Sequence, residues 1–347
     1  MRFYNQQHQF YCGVDLHTRM MYPCVLDAAG QIVAHRNIVA RPEPFLKLIA
    51  PFRSDLIVGV ECTLGWYWLA DLCRREAIQF VLGHALYMKA IHGGKAKDDK
   101  IDSHKIALLL RGGMFPLAYV YPPGMRETRD LLRRRTFLVR IRAEALAHIQ
   151  NTASQYNLPP FAKKISYKAN RAGVAEQFTD PSVRRNVEAD LGLIAHLDTQ
   201  IHHLEQYLVE HARVDDVQGY GRLQTAPGIG KILGLIMLYE IHTITRFCSC
   251  GEFLSYSRLV KCDRKSAGQK YGFGGAKIGN GHLKWAFAEA VCLMLRDCQE
   301  VKRRCDRLQK KHGKPTALAM LRRRLGRAVY HMLRRKEVFD MKKFLAN

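Results

Sequence analysis

Four carboxylates in this chain stand where a divalent cation would be held. Asp15 closes the apolar run Phe10-Tyr11-Cys12-Gly13-Val14, and Glu61 closes Leu56-Ile57-Val58-Gly59-Val60. Asp99 and Asp102 follow in Lys97-Asp98-Asp99-Lys100-Ile101-Asp102, just ahead of the apolar stretch from Ile106 to Leu110. A carboxylate at the end of a buried strand is costly unless a cation holds it. Asp99 and Asp102, three apart, share one helix face. Two strand ends plus that pair read as an oxygen cage for Mg²⁺, with Mn²⁺ as a substitute. Two such ions stabilise both the attacking and the leaving oxygen at phosphorus. Acidic residues at helix starts are common caps, so Asp99 or Asp102 alone would be unremarkable. Asp15 and Glu61, each after an apolar strand, are harder to dismiss.

A second constellation lies downstream. Ser266 is a hydroxyl among Lys261, Arg264, Lys265 and Lys270, ahead of the glycine-rich stretch from Tyr271 to Gly281. Those cations suit a phosphate that a hydroxyl attacks. No His or Asp base adjoins it, so activation must come from elsewhere in the fold. A third feature, Thr225-Ala226-Pro227-Gly228-Ile229-Gly230-Lys231, enters an apolar helix. It reads either as an ordinary interhelix turn or as a helix-hairpin-helix turn. In the latter, Gly228 and Gly230 let the backbone approach a phosphate beside Lys231. Arg133, Arg134 and Arg135 in a basic helix, and Arg322, Arg323 and Arg324 in the tail, read as phosphate-contacting surfaces or as solvated faces. Cys248, Cys250 and Cys262 form a C-x-C…C cluster near His242 that would suit zinc, although no fourth ligand stands at conventional spacing.

Composition points the same way. With 55 Lys+Arg against 31 Asp+Glu, the 347-residue chain carries a formal charge of +24 and calls for a polyanionic partner. Nucleic acid is the first choice and an anionic membrane the second. The most apolar stretch, Ile232 to Tyr239, falls far short of the roughly 20 residues a spanning helix needs. The segment from Met1 to Gln9 is polar and lacks the core of a signal peptide, so a cytoplasmic location is expected. Ten cysteines without a pairing rhythm fit free thiols in a reducing compartment.

The elements that must position these groups follow from patterning. Residues 10–15, 20–26 and 32–38 read as strands, with Asp27-Ala28-Ala29-Gly30 as a turn. A helix near Pro44 to Ala50, a strand from Leu56 to Val60, a helix from Gly65 to Arg75 and a strand at Phe80-Val81-Leu82 come next. A helix from Ser103 to Arg111 then stops at Gly112-Gly113. A meander followed by alternating strand and helix is the order of an α/β RNase H-like (RuvC-like) domain, assigned here to residues 1–124. Residues 125–216 read as a basic helical region. Its second helix starts at Asp180-Pro181 and carries a seam of Val187, Leu191, Ile194, Ile201, Leu204 and Leu208. That seam suits an antiparallel pair within the chain or a dimerising coiled coil. Residues 217–347 read as a mainly α domain with a helical basic tail from Val301.

Taken in order, several stretches resemble the DEDD transposases of insertion sequences, the bridge-RNA-guided serine recombinases. They are G-V-D-L-H (13–17), V-G-V-E-C-T (58–63), K-A-K-D-D-K-I-D-S (95–103), T-A-P-G-I-G (225–230), R-K-S-A-G (264–268) and K-I-G-N-G-H-L-K-W-A-F-A-E-A (277–290). The resemblance implies a RuvC-like domain joined through helices to a transposase domain. It implies that Asp15, Glu61, Asp99 and Asp102 bind metal, and that Ser266 forms a phosphoserine link to DNA. It also implies a structured guide RNA and dimers pairing into tetramers, with active sites shared between subunits. Family members commonly read Ser-Gly where this chain reads Ser266-Ala267-Gly268, and Lys261 stands where a proline is common. Two other readings compete: a RuvC-like structure-selective nuclease that uses no serine, and a non-catalytic nucleic-acid-binding protein.

Overall fold

Strand β2 (Phe10–Leu16) is the axis of the first half of the molecule. It pairs antiparallel with β3 (Met20–Asp27) and parallel with β6 (Leu56–Glu61). The computed structural model describes residues 2–63, 65–92, 98–212, 216–275 and 277–346, with backbone alone at His92, Arg264, Lys265 and Phe273. Residues 95–97 of the acidic motif therefore lie outside the described set. In chain order the first half runs β1 (Phe3–Tyr4), β2, β3, β4 (Ile32–His35), β5 (Ile38–Val39), α1 (Pro42–Ile49) and β6. It continues through α2 (Trp66–Arg75), β7 (Gln79–Gly83), α3 (Ala85–His92), α4 (Asp99–Arg111) and β8 (Phe115–Ala118). The sheet order is β1-β8-β7-β6-β2-β3-β4, with β5 added on β3.

The sheet is mixed and covered on both faces. Side chains alternate across a strand. Cys12, Val14 and Leu16 pack with Phe45 and Ile49 of α1 and Leu69 of α2. Tyr11 and Ile57 pack on the opposite face with Ile106, Leu109 and Leu110 of α4. Gly13 and Gly59 are register partners on that second face. A Cβ at Gly13 would lie 2.3 Å from the Ala107 nitrogen and 2.4 Å from the Ser103 carbonyl oxygen. A Cβ at Gly59 would lie 2.7 Å from Leu110 Cδ1. The two glycines therefore form a trough in which α4 lies directly on the strands.

The chain forms two compact units, Met1–Pro123 and Gly124–Asn347. The second unit begins with α5 (Arg126–Gln155) and α6 (Pro181–His211). Arg135 Nε meets Glu205 at 2.8 Å, Arg142 meets Asp198 at 2.7 Å and His148 meets Asp190 at 2.5 Å. Rising numbers on one helix meet falling numbers on the other, so the pair is antiparallel. Within this chain the α6 seam packs against α5 and its neighbours: Val187 and Ile194 join Leu146 and Ile149. Asp180 caps α6 by accepting from the N–H groups of Ser182 and Val183, as the sequence predicts.

Then come α7 (Val217–Gln224), α8 (Lys231–Ile241), α9 (Cys250–Tyr256), a two-stranded hairpin β9 (Cys262–Ser266) and β10 (Gln269–Gly274), and α10 (Gly281–Asp297). The tail expected as helical is divided into α11 (Gln299–His312), α12 (Lys314–Arg335) and α13 (Met341–Leu345). Gly313, at φ +78°, makes the first break. From Leu233 to Ile241 every residue of α8 is buried, which makes it the central helix of this core. Among the described residues, no helix is long and apolar enough to cross a membrane.

Candidate active site

Strand parity brings the acidic residues to one face. Asp15 lies two residues beyond Gly13, and Glu61 two beyond Gly59, so both share the face that α4 covers. Val14 pairs with Val60, which leaves Asp15 and Glu61 at the adjoining ends of parallel strands. Asp98 caps α4, its carboxylate accepting from the Lys100 N–H at 3.3 Å. The helix thus starts at Asp99, four residues earlier than the apolar pattern predicts, and Asp99 and Asp102 lie in its first turn. The start is held from the side: His35 Nε2 lies 3.0 Å from the Lys100 carbonyl oxygen and 3.1 Å from the Ser103 hydroxyl. Ser103 is fully buried and donates to the same carbonyl at 2.9 Å.

His17, which sequence reasoning missed as a site residue, links the two elements. Its Nε2 lies 3.3 Å from Asp15 Oδ2 and 3.3 Å from Asp99 Oδ1. Ligand atoms of Asp15, His17 and Asp99 all lie within 4.8 Å of one another. The signal was available, because an Asp-x-His step that runs one residue past a strand end keeps both side chains on one face. Asp102 pairs with Lys105 at 3.3 Å. Burial raises the Asp15 carboxyl above its ordinary range. The charges of Asp99 and Asp102 add to that rise and His17 opposes it. Two of the three converging donors, Asp15 and Asp99, are carboxylates. Such a set fits a hard divalent cation.

Ser266 belongs to the second unit and is exposed. It forms the closing pair of the hairpin with Gln269. Ala267 at φ +48° and Gly268 at φ +78° make the turn a left-handed pair, the type I′ geometry of two-residue hairpins. The alternation that marks a strand is absent here, which is why the stretch reads as a loop in sequence. Lys265 stands opposite Lys270 in register, and Lys270 Nζ meets Asp263 at 2.8 Å. Lys261 is exposed just ahead of β9. The side chains of Arg264 and Lys265 lie outside the described set.

The other expected contacts differ in their surroundings. Arg133 binds Glu240 at 2.6 Å and Arg135 binds Glu205, so both are ion-paired within the fold, while Arg134 is exposed over the Phe137 ring. Gly228 is at φ +81°, and a Cβ there would lie 2.2 Å from the Ala290 carbonyl oxygen of α10. Its glycine serves helix packing. Gly230 and Lys231, in contrast, are exposed. Arg324 is half-buried and donates to the backbone carbonyls of Phe344 and Ala346, holding α13, while Arg322 is half-buried and Arg323 exposed. No disulfide links the cysteines among the described residues, and Cys248, Cys250, Cys262 and His242 form no ligand cluster there.

A mixed sheet flanked by helices, with Asp15 and Glu61 at adjoining strand ends, fits an α/β domain of the RNase H-like kind. The comparisons carry this further. The family model of the IS110-type DEDD transposase domain, described as Transposase, matches residues 12–158. A second, described as Transposase IS116/IS110/IS902 family, matches residues 220–306. Together they cover about two thirds of the 347 residues, and the chain belongs to this family of DEDD transposases. It is a DNA-cleaving and rejoining enzyme whose family implies a divalent metal and a DNA substrate. No curated protein matches the chain.

Proposed function

We propose that the protein moves an insertion sequence by Mg²⁺-dependent transesterification, with Asp15, Glu61, Asp99 and Asp102 as ligands and Ser266 as nucleophile. The convergence of Asp15, His17 and Asp99 within 4.8 Å is the observation that carries the reading. Bound Mg²⁺, or Mn²⁺ in its place, supplies stabilisation of charge at the phosphorus and at the leaving oxygen. The rest is the work of this chain's side chains. The Ser266 oxygen forms a bond to phosphorus as the P–O bond to a deoxyribose oxygen breaks, and the serine proton ends on that oxygen. One phosphodiester replaces another, so rejoining by a DNA hydroxyl needs no ATP. Lys261, Arg264, Lys265 and Lys270 hold the phosphate in register with the hydroxyl.

In this reading residues 1–124 carry the metal, 125–216 the helical connection and 217–347 the nucleophile and DNA contacts. Among the described residues no Cys/His cluster of zinc-finger type forms. A structured guide RNA therefore supplies target choice by base pairing, and the positive surplus holds it. Dimers pair into tetramers on DNA. The experiment is recombination of a labelled donor and target by the protein–RNA complex. Asp15→Asn and Asp102→Asn should each abolish it with the fold intact. Mixing Asp15→Asn with Ser266→Ala protein should restore part of it if sites are shared between subunits. Full recombination by Asp15→Asn in Mg²⁺, or site-specific recombination after complete RNA removal, would refute the corresponding part.

A further inference from the structure

The second unit holds a cavity of about 840 Å³ between α5, α8 and α10. Its size falls in the range of built ligand sites, roughly 300–1,000 Å³. Aromatic faces line it: Phe137 of α5 and Trp285 of α10. Arg134 and Arg140 lie over the Phe137 ring at 5.1 and 5.3 Å, so the aromatic side chain at the cavity is accompanied by two cations.

The start of α8 opens on the same cavity through Gly230 and Lys231. No side chain caps this 11-residue helix. Gly230 has φ −83°, which any residue adopts, and a Cβ there would meet nothing within 4 Å. Neither conformation nor packing within the fold requires a glycine. Ser, Asp or Asn would cap better. What the missing side chain provides is access to free N–H groups beside Lys231, the arrangement that receives a phosphate.

The floor is rigid. Glu240, 2% exposed, binds Arg129 at 2.9 Å, Arg133 at 2.6 Å and the Asn280 amide at 2.7 Å. Asn280 in turn caps α10, accepting from the N–H groups of His282 and Leu283 at 2.9 and 3.0 Å. Burial, then the charge of Arg133, lowers the His282 pKa, so its imidazole stays neutral and offers a donor and an acceptor to a base edge.

The geometry points to a binding site for one unstacked nucleotide of a single-stranded nucleic acid, its base against Trp285 and Phe137 and its phosphate at the bare start of α8. Duplex bases are stacked on one another and cannot enter, whereas single strands present their faces. The inference rests on the nucleic-acid reading of the family but not on the metal or on Ser266. It is tested in EDTA, where strand chemistry is silent. Full-length protein is bound to single-stranded DNA, single-stranded RNA and duplex DNA, the single strands carrying 5-iodouracil for photocrosslinking. Crosslinks should map to Trp285 or Phe137. Trp285→Ala should weaken single-strand binding about five- to hundredfold. Duplex binding should stay within about twofold. Phe137 is 38% exposed, so Phe137→Ala keeps the fold and should weaken the same strands. Lys231→Gln should lower the salt slope by about 0.7. The arm that loses affinity identifies the strand as DNA or RNA. Crosslinks elsewhere with unchanged affinity in both aromatic variants would overturn the proposal. So would equal loss on duplex, or loss of self-association in place of strand binding, which would mark the cavity as a seat for another copy of the chain.

Discussion

Gly13→Ala is the smallest change that separates the two halves of the acidic site. The added methyl would sit 2.3 Å from the Ala107 nitrogen and 2.4 Å from the Ser103 carbonyl. Both are backbone atoms, so no rotamer relieves the contact. Reaching an ordinary 3.4 Å separation moves α4 about 1 Å off β2. Overpacking of this kind costs about 1–3 kcal/mol, and the rigid neighbours place this case at the upper end. The displaced helix carries Asp99 and Asp102, whereas Asp15 and Glu61 stay with the sheet. A misplacement of about 1 Å in a catalytic constellation costs on the order of a hundredfold in rate. Thermal unfolding should fall by several degrees, and strand cleavage in Mg²⁺ should drop about a hundredfold while DNA binding holds. Ala at position 13 with wild-type melting and cleavage would refute the idea that this contact sets the distance between the carboxylates.

Asp15→Asn tests the charge balance. The Asp15 pKa is raised in the metal-free fold, so its ionised form destabilises the folded state. That penalty is full above the folded pKa and vanishes below the unfolded value of about 3.9. In EDTA the Asn protein should melt higher at pH 7, the gap should close on acidification, and stabilisation by added Mg²⁺ should be lost. A lower melting point at pH 7 would contradict this. Glu240→Ala leaves Arg129, 8% exposed, buried without its carboxylate. The expected loss is about 3–5 kcal/mol in denaturant unfolding, and a loss under 1 kcal/mol would mean the network is dispensable. Burial pushes the Glu240 carboxyl up, but hydrogen bonding and charge from Arg133 and Arg129 hold it below its ordinary value. That contribution persists above the unfolded pKa and is lost only as pH falls through the folded one.

How much of this was legible depended on the length of the pattern. The strands of β2, β3 and β6 and the helices α5 and α6 follow from apolar runs and caps that extend over several residues. The carboxylates were visible because each interrupts such a run at its end. His17 was not singled out, although its parity with Asp15 places it on the same face. The start of α4 is not marked by apolar periodicity, because its first turn is polar and is held by Asp98 and His35. Strands β1 and β8, at one end of the sheet, have only two and four residues, too short for a period to register. The hairpin that presents Ser266 is lysine- and glycine-rich, and its turn depends on Ala267 taking a left-handed conformation that its residue type does not signal. The partners of Arg133 and Arg135 are distant acids, Glu240 and Glu205, which local sequence cannot pair with them.

The central claim is that DNA is cut through a serine ester supported by the acidic site. The most direct measurement is a denaturing gel of end-labelled DNA after reaction with the protein–RNA complex. Intact protein, Ser266→Ala and Asp15→Asn are compared in Mg²⁺ and in EDTA. The account predicts a covalent protein–DNA band only for intact protein in Mg²⁺, with the attachment mapped to Ser266. Strand cleavage by Ser266→Ala at the intact rate, leaving free DNA ends and no adduct, would contradict it and assign the chemistry to water.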